Sequence, residues 1–258
     1  MKHAVHRWRC APPAARPSSL MDPVQAPRES EPALHHRRQV VAVASLVGAG
    51  LLSRSLSTEH GSPQFYTLSL GVAGVWITGG LRSGLVTPSR MRNHDHVLRR
   101  PVITPVLIGV GAFAGFYLCA LAARHIPVLN RSISAVLQYA NYGSGPLVLL
   151  TALANGAAEE VFFRGALYTA IGHHHPVAVS AAVYSLTTAA TRNPALVLAS
   201  TVMGTLFGLE RRVTGGVQAP ILTHLTWSTL MLRFLPPLFD NRQEPKPPRT
   251  RHRLVIPL

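Results

Sequence analysis

The chain has 258 residues, of which 47% are hydrophobic and only 14% charged, with a formal net charge of +15. So few charges spread between long apolar runs exclude an ordinary water-soluble domain and favour a membrane protein. The positive charge does not indicate nucleic acid either: the basic residues lie at the two ends and in short connections, with no basic face interleaved with aromatics.

Residues 1–38 are Pro-rich and carry both signs of charge, including Arg7, Arg9, Arg16, Glu29, Glu31, Arg37 and Arg38. They contain no apolar run long enough for the core of a signal peptide and read as a disordered tail. No structural feature needs the residues before Met21, which makes that methionine an alternative start. The two cysteines, Cys10 in this tail and Cys119 in an apolar run, form neither a disulfide framework nor a metal knuckle.

A bilayer core of ~30 Å takes ~20 mostly apolar helical residues. The chain offers such runs at 39–57, 62–81, 102–123, 146–172, 177–190, 194–209 and 217–235. The fifth is short, and His173, His174 and His175 bracket it on one side, with Arg192, Asn193 and Pro194 on the other. Arg82, Arg90, Arg92, Arg99 and Arg100 crowd one connection while 58–61 holds no base, which predicts a cytoplasmic N-terminus. Seven crossings then put the basic tail 239–258 outside, against the same rule. The stretch 125–145, lying in the interface or adding a crossing, is the place where the count is open. The expected fold is all-α: a polytopic transmembrane helical bundle over 39–238, with about seven spans (six to eight), multi-pass in the cell membrane and partnered by the lipid bilayer. No segment repeats at a fixed period.

Between Asp95 and Glu210 the only acidic residues are Glu159 and Glu160, at the centre of the run 146–172. A buried acid there costs ~2.5–3.5 kcal/mol on insertion scales, so two of them need a reason. Arg164 follows Glu160 by four residues on the same helix face, in the favourable order for an ion pair. Glu159 is turned by about 100° from Glu160 and must look toward another helix or toward water. Two readings of Glu159 fit. It is a base that takes a proton from water and returns it to a leaving group, or it is one half of a structural ion pair between helices.

His224 is the one histidine within a predicted span, and its ring nitrogens need partners. Ser228 lies one turn further on the same face. At 1.5 Å per residue, Glu159 is ~20 Å from Gly172, Thr188 ~18 Å from Pro176 and His224 ~12 Å from Gly216, all measured from one side. The three residues can therefore meet inside the bundle. A small proton-coupled transporter would also place acids here, but the chain shows no inverted repeat.

The run Ala158-Glu159-Glu160-Val161-Phe162-Phe163-Arg164-Gly165 resembles the EExxxR motif of the CAAX protease and bacteriocin-processing family of intramembrane peptidases, a likeness that covers roughly 100–235. His224-Leu225-Thr226-Trp227-Ser228 resembles that family's third motif, HxxxN or HxxxD, with Ser228 in place of the amide or carboxylate. The second motif, FxxxH, corresponds to Tyr184-Ser185-Leu186-Thr187-Thr188, which keeps an aromatic residue but has Thr188 at the histidine position.

The resemblance implies that Glu159 activates water, that Glu160 and Arg164 hold the site's shape, and that His224 stabilises the oxyanion. It also implies a membrane-associated peptide or protein as substrate. Eukaryotic members cleave prenylated CAAX proteins, while bacterial members act on other peptides or serve in bacteriocin immunity. The chain carries nothing that reads out a prenyl group. Losing one acid/base partner lowers rates by ~10²–10⁴, so Thr188 leaves three alternatives: a slow peptidase, a degenerate scaffold or immunity protein, and an enzyme that recruits another group such as His173, His174 or His175. No cofactor and no metal are expected, because with Thr188 replacing a donor three firm protein ligands are hard to assemble.

Overall fold

Proline sets several helix starts in this chain, since a residue without an N–H and with φ fixed near −65° suits the first turn. The computed structural model describes residues 31–83, 102–172 and 174–239, and the backbone of 91–92 and 98–99. Its helices are α1 (Glu31–Ser55), α2 (Pro63–Arg82), α3 (Ile103–Ala123), α4 (Pro127–Tyr142), α5 (Gly145–Ile171), α6 (Pro176–Ala189), α7 (Pro194–Thr214) and α8 (Gln218–Phe234). Pro63, Pro127, Pro146, Pro176 and Pro194 all stand at the first or second helical position. Ser62 caps α2 by accepting from the Phe65 amide, and Asn193 caps α7 by accepting from those of Ala195 and Leu196. Gly172 and Gly215, with φ of 76° and 69°, end α5 and α7 in a conformation that residues with a Cβ rarely adopt. The β structure described is one antiparallel pair of two-residue strands, Met91–Arg92 against Leu98–Arg99.

Five of the seven apolar runs coincide with helices to within two residues at both ends. Two boundaries differ. Helix α1 begins at Glu31, so residues 31–38 are helical rather than part of the tail; Glu31 and Pro32 in its first turn suit a helix start. Helix α7 continues to Thr214, five residues past the expected end, which draws Glu210 and Arg211 into it. The tail up to residue 30 with Met21, the bases Arg90 and Arg100, His173, and the C-terminal tail from 240 lie outside the described residues.

Contacts fix the direction of each helix. Ser180 Oγ donates to the Phe163 carbonyl and Ser185 Oγ meets Thr201 Oγ1, so α6 runs antiparallel to both α5 and α7. Phe207 stacks on His224 and Glu210 meets Thr223, so α8 runs antiparallel to α7. Gly109 of α3 faces Thr223 and Thr226, and Ala120 shares a cluster with Leu235, so α3 runs parallel to α8. Helices α3 and α5 therefore point in opposite directions, and α4 between them stays at one end of the bundle. The segment 125–145 is thus an end-capping helix and not a further traverse. Leu137 and Tyr139 bury its inner face, while Val128 and Tyr142 remain outside.

Two features of the bundle suit a membrane. Helices α3 and α5 are long and apolar enough to cross a bilayer, with mean hydropathies of 2.2 and 1.3, and α6 is apolar but shorter. Large apolar side chains also face outward, such as Leu118 at 66% and Leu186 at 71% exposure, an arrangement that lipid tolerates better than water.

Small residues let the helices approach. A Cβ at Gly204 would stand 3.5 Å from the Ala181 Cα, and one at Gly208 3.0 Å from Val177 Cγ1, so α7 meets α6 along a Gly-xxx-Gly face. The Trp76 ring fills the place where a Cβ of Gly48 would be, which locks α1 to α2. Trp76 then meets Phe162 and Phe163 at centroid distances of 4.7 and 5.0 Å, anchoring the middle of α5.

Candidate active site

The hydrogen-bonding pattern of α5 changes from α-helical to π-helical over Glu160–Leu167, which is not visible in its apolar pattern. Such segments are rare and often accompany functional sites. Glu160, Phe162, Phe163 and Arg164 in this stretch are all fully buried.

Arg164 Nη1 donates to Glu160 Oε1 at 3.2 Å, the i,i+4 pair that the sequence predicts. Arg164 Nη2 donates to the Gly204 carbonyl of α7 at 3.1 Å, and Arg211 Nε donates to the Arg164 carbonyl at 2.8 Å. The guanidinium lies 4.7 Å from the ring centroid of Tyr184 and 5.1 Å from that of Phe207. A carboxylate, a carbonyl dipole and aromatic faces thus compensate a charge that lipid would not.

His224 Nδ1 reaches the same Glu160 Oε1 at 2.9 Å. Its ring stacks on Phe207, centroid to centroid 4.7 Å, and packs on the backbone of α5, where a Cβ at Gly156 would stand 3.3 Å from Nε2. Gly156 precedes Glu160 by one turn, so the bare helix face there leaves room for the imidazole. With Glu160 as a carboxylate, Nδ1 donates.

Glu159 is separate from that cluster. It is half-buried where Glu160 is sealed, and its Oε2 accepts from the Tyr184 hydroxyl of α6 at 2.6 Å. Among the described residues no other hydrogen bond is made to Glu159. Thr188 is buried one turn further along α6, and its Oγ1 donates to the Tyr184 carbonyl at 2.9 Å. That hydroxyl has one proton, and it is committed to its own helix. Ser228 lies half-buried one turn past His224 on α8. The structure therefore joins Glu160, Arg164 and His224 directly, links Glu159 to Tyr184, and leaves Thr188 and Ser228 on the flanking turns. His174 and His175 stay exposed between α5 and α6, away from these residues.

Tyr184 is the partner that the sequence reading overlooked. Its signal was available: a phenol within an apolar run needs a polar contact when buried. Beyond the cluster, Glu210 is also buried and meets Thr223 Oγ1 at 2.6 Å, next to His224 in sequence. A cavity of about 510 Å³ lies at the α4 end of the bundle, lined by Arg131, Tyr139 and Arg192, and includes none of the candidate residues.

A divalent metal fits this arrangement poorly. Glu160 Oε1 is already shared by a guanidinium and an imidazole, and Glu159 Oε2 by a phenol. Among the described residues no three His, Cys, Asp or Glu side chains converge as a ligand group.

In a comparison with known families, the sequence model described as Type II CAAX prenyl endopeptidase Rce1-like matches residues 142–230. That segment is about a third of the chain and contains Glu159, Glu160, Arg164, Thr188, His224 and Ser228. No curated protein and no solved structure gives a significant match.

Proposed function

We propose that this chain, Rce1-like over residues 142–230 and of an integral membrane helical family, is a multi-pass intramembrane endopeptidase of the cell membrane. Its substrate in this reading is a membrane-associated peptide or protein. The observation that carries it is the division of labour between adjacent carboxylates: Glu160 is sealed and shared by Arg164 and His224, whereas Glu159 is half-buried and, among the described residues, is bonded only through Oε2, to Tyr184.

In the reaction so envisaged, Glu159 takes a proton from water as the resulting hydroxide attacks the scissile carbonyl carbon. The tetrahedral oxyanion collapses with cleavage of the C–N bond, and the proton held by Glu159 passes to the departing amine. Glu160 and Arg164 fix the helix that presents Glu159. His224 donates through Nδ1 to Glu160, so its Nε2 donates to an oxyanion only when the ring carries both protons.

The test is turnover of a membrane-reconstituted peptide library, with prenylated and unprenylated members, by wild type and Glu159→Gln. Cleavage by wild type and its loss in the variant support the reading. A folded wild type that cleaves nothing, or a variant that cleaves normally, sinks it.

Thr188 favours a second reading, a catalytically degenerate member that serves as a membrane scaffold or immunity protein. Its hydroxyl bonds the helix backbone and brings no acid/base group toward Glu159.

A further inference from the structure

We infer that Tyr184 is the positioning residue for Glu159, fixing which carboxylate oxygen meets water. This inference rests on the peptidase reading and adds to it a residue outside all three sequence motifs' ionisable positions. The Tyr184 hydroxyl donates to Glu159 Oε2 at 2.6 Å, within the range of O–H···O⁻ bonds strengthened by charge. With Oε2 engaged, Oε1 is the oxygen left to accept the proton of water. The phenol keeps its own proton throughout, so the proton ledger of hydrolysis is unchanged.

The ring is held firmly enough to set direction. The Arg164 guanidinium lies 4.7 Å from its centroid, the Phe163 ring is 4.8 Å away, and the close approach of α7 leaves 3.1 Å between Cδ1 and a Cβ placed at Gly204. One turn earlier, Ser180 Oγ ties α6 to the Phe163 carbonyl at 2.9 Å. The phenol therefore joins the sealed Arg164–Glu160 cluster, through its ring face, to the half-buried Glu159 carboxylate, through its hydroxyl. Thr188 cannot supply this contact while its one proton is donated to the Tyr184 carbonyl. Carboxylate misplacement on the scale of ~1 Å is enough to lower a rate by ~10².

Tyr184→Phe removes the oxygen and keeps the ring that packs on Arg164 and Phe163. The experiment measures kcat and KM on a peptide that wild type cleaves in proteoliposomes, for wild type, Tyr184→Phe, Glu159→Gln and the double variant, with thermal unfolding as the folding control. The expected result is a kcat lowered by about 10- to 100-fold in Tyr184→Phe at unchanged KM, and a double variant no slower than Glu159→Gln alone. If Tyr184→Phe fails to fold, Tyr184→Leu, which removes the oxygen without adding bulk beside Gly204, is held to the same kcat criterion. An oxygen-free variant at full kcat, or losses that multiply in the double variant, overturns the positioning role while leaving the peptidase reading intact. A wild type without turnover overturns both.

Discussion

His224 Nδ1 meets Glu160 Oε1 at 2.9 Å across the interface of α5 and α8, on the oxygen that Arg164 also uses. Two ionisable side chains, one from each helix, thereby depend on one buried carboxylate oxygen. Arg164→Met leaves Glu160 and its helix in a poorly solvated interior with a guanidinium missing. Removing one partner of a buried pair destabilises by about 3–5 kcal/mol. Reversible unfolding in mixed micelles checks it, and Glu160→Gln combined with Arg164→Met is expected to recover part of the loss, because no unpaired charge then remains.

Glu159→Gln should separate chemistry from stability. The amide oxygen of glutamine can still accept from Tyr184, so the variant stays within about 1 kcal/mol of wild type. It cannot take a proton from water, and turnover falls by ~10² or more. Side-by-side unfolding and peptide-cleavage measurements check both halves of the expectation, and a loss of fold without loss of specific turnover would contradict it.

Much of this arrangement is legible in the sequence, for reasons that differ by residue. The helices follow from uninterrupted apolar runs punctuated by proline, and the Glu160–Arg164 pair from four-residue spacing. The partner of Glu159 does not follow. Spacing along one helix says little about which turn of a neighbouring helix will face it, and depth counting pointed to Thr188 where Tyr184, one turn nearer the start of α6, makes the bond. The π-helical stretch of α5 changes the count between Glu159 and the helix end, and no residue pattern signals it. The sequence marks His224 as a buried histidine that needs a partner, but not that the partner is Glu160, and the bare face at Gly156 that admits it is evident only in three dimensions.

Gly204→Val tests the close approach of α6 and α7. A Cβ there would stand 3.1 Å from Tyr184 Cδ1 and 3.3 Å from Arg164 Nη2, and the added methyls have no free volume between them. Overpacking of this kind destabilises by about 1–3 kcal/mol. Gly50→Ala on α1, where a Cβ meets nothing within 4 Å, is the control and should be neutral or slightly stabilising. Thermal unfolding of the two variants in the same detergent checks the contrast.

Thr188→His asks whether the missing imidazole limits the chemistry. Position 188 is buried and follows Tyr184 by one turn on the same face of α6, so a ring there is presented toward the side on which Glu159 lies. The larger side chain replaces a hydroxyl bonded to its own helix, and a destabilisation of about 1–3 kcal/mol from overpacking is expected. If hydrolysis is limited by the lack of a second acid/base group, turnover rises by at least ~10-fold over a wild type that is already active. Activity that appears only in the variant identifies the natural chain as a degenerate member. A variant that folds and is no faster than an active wild type shows that the histidine is dispensable here, and that the contacts already made by Glu159 suffice.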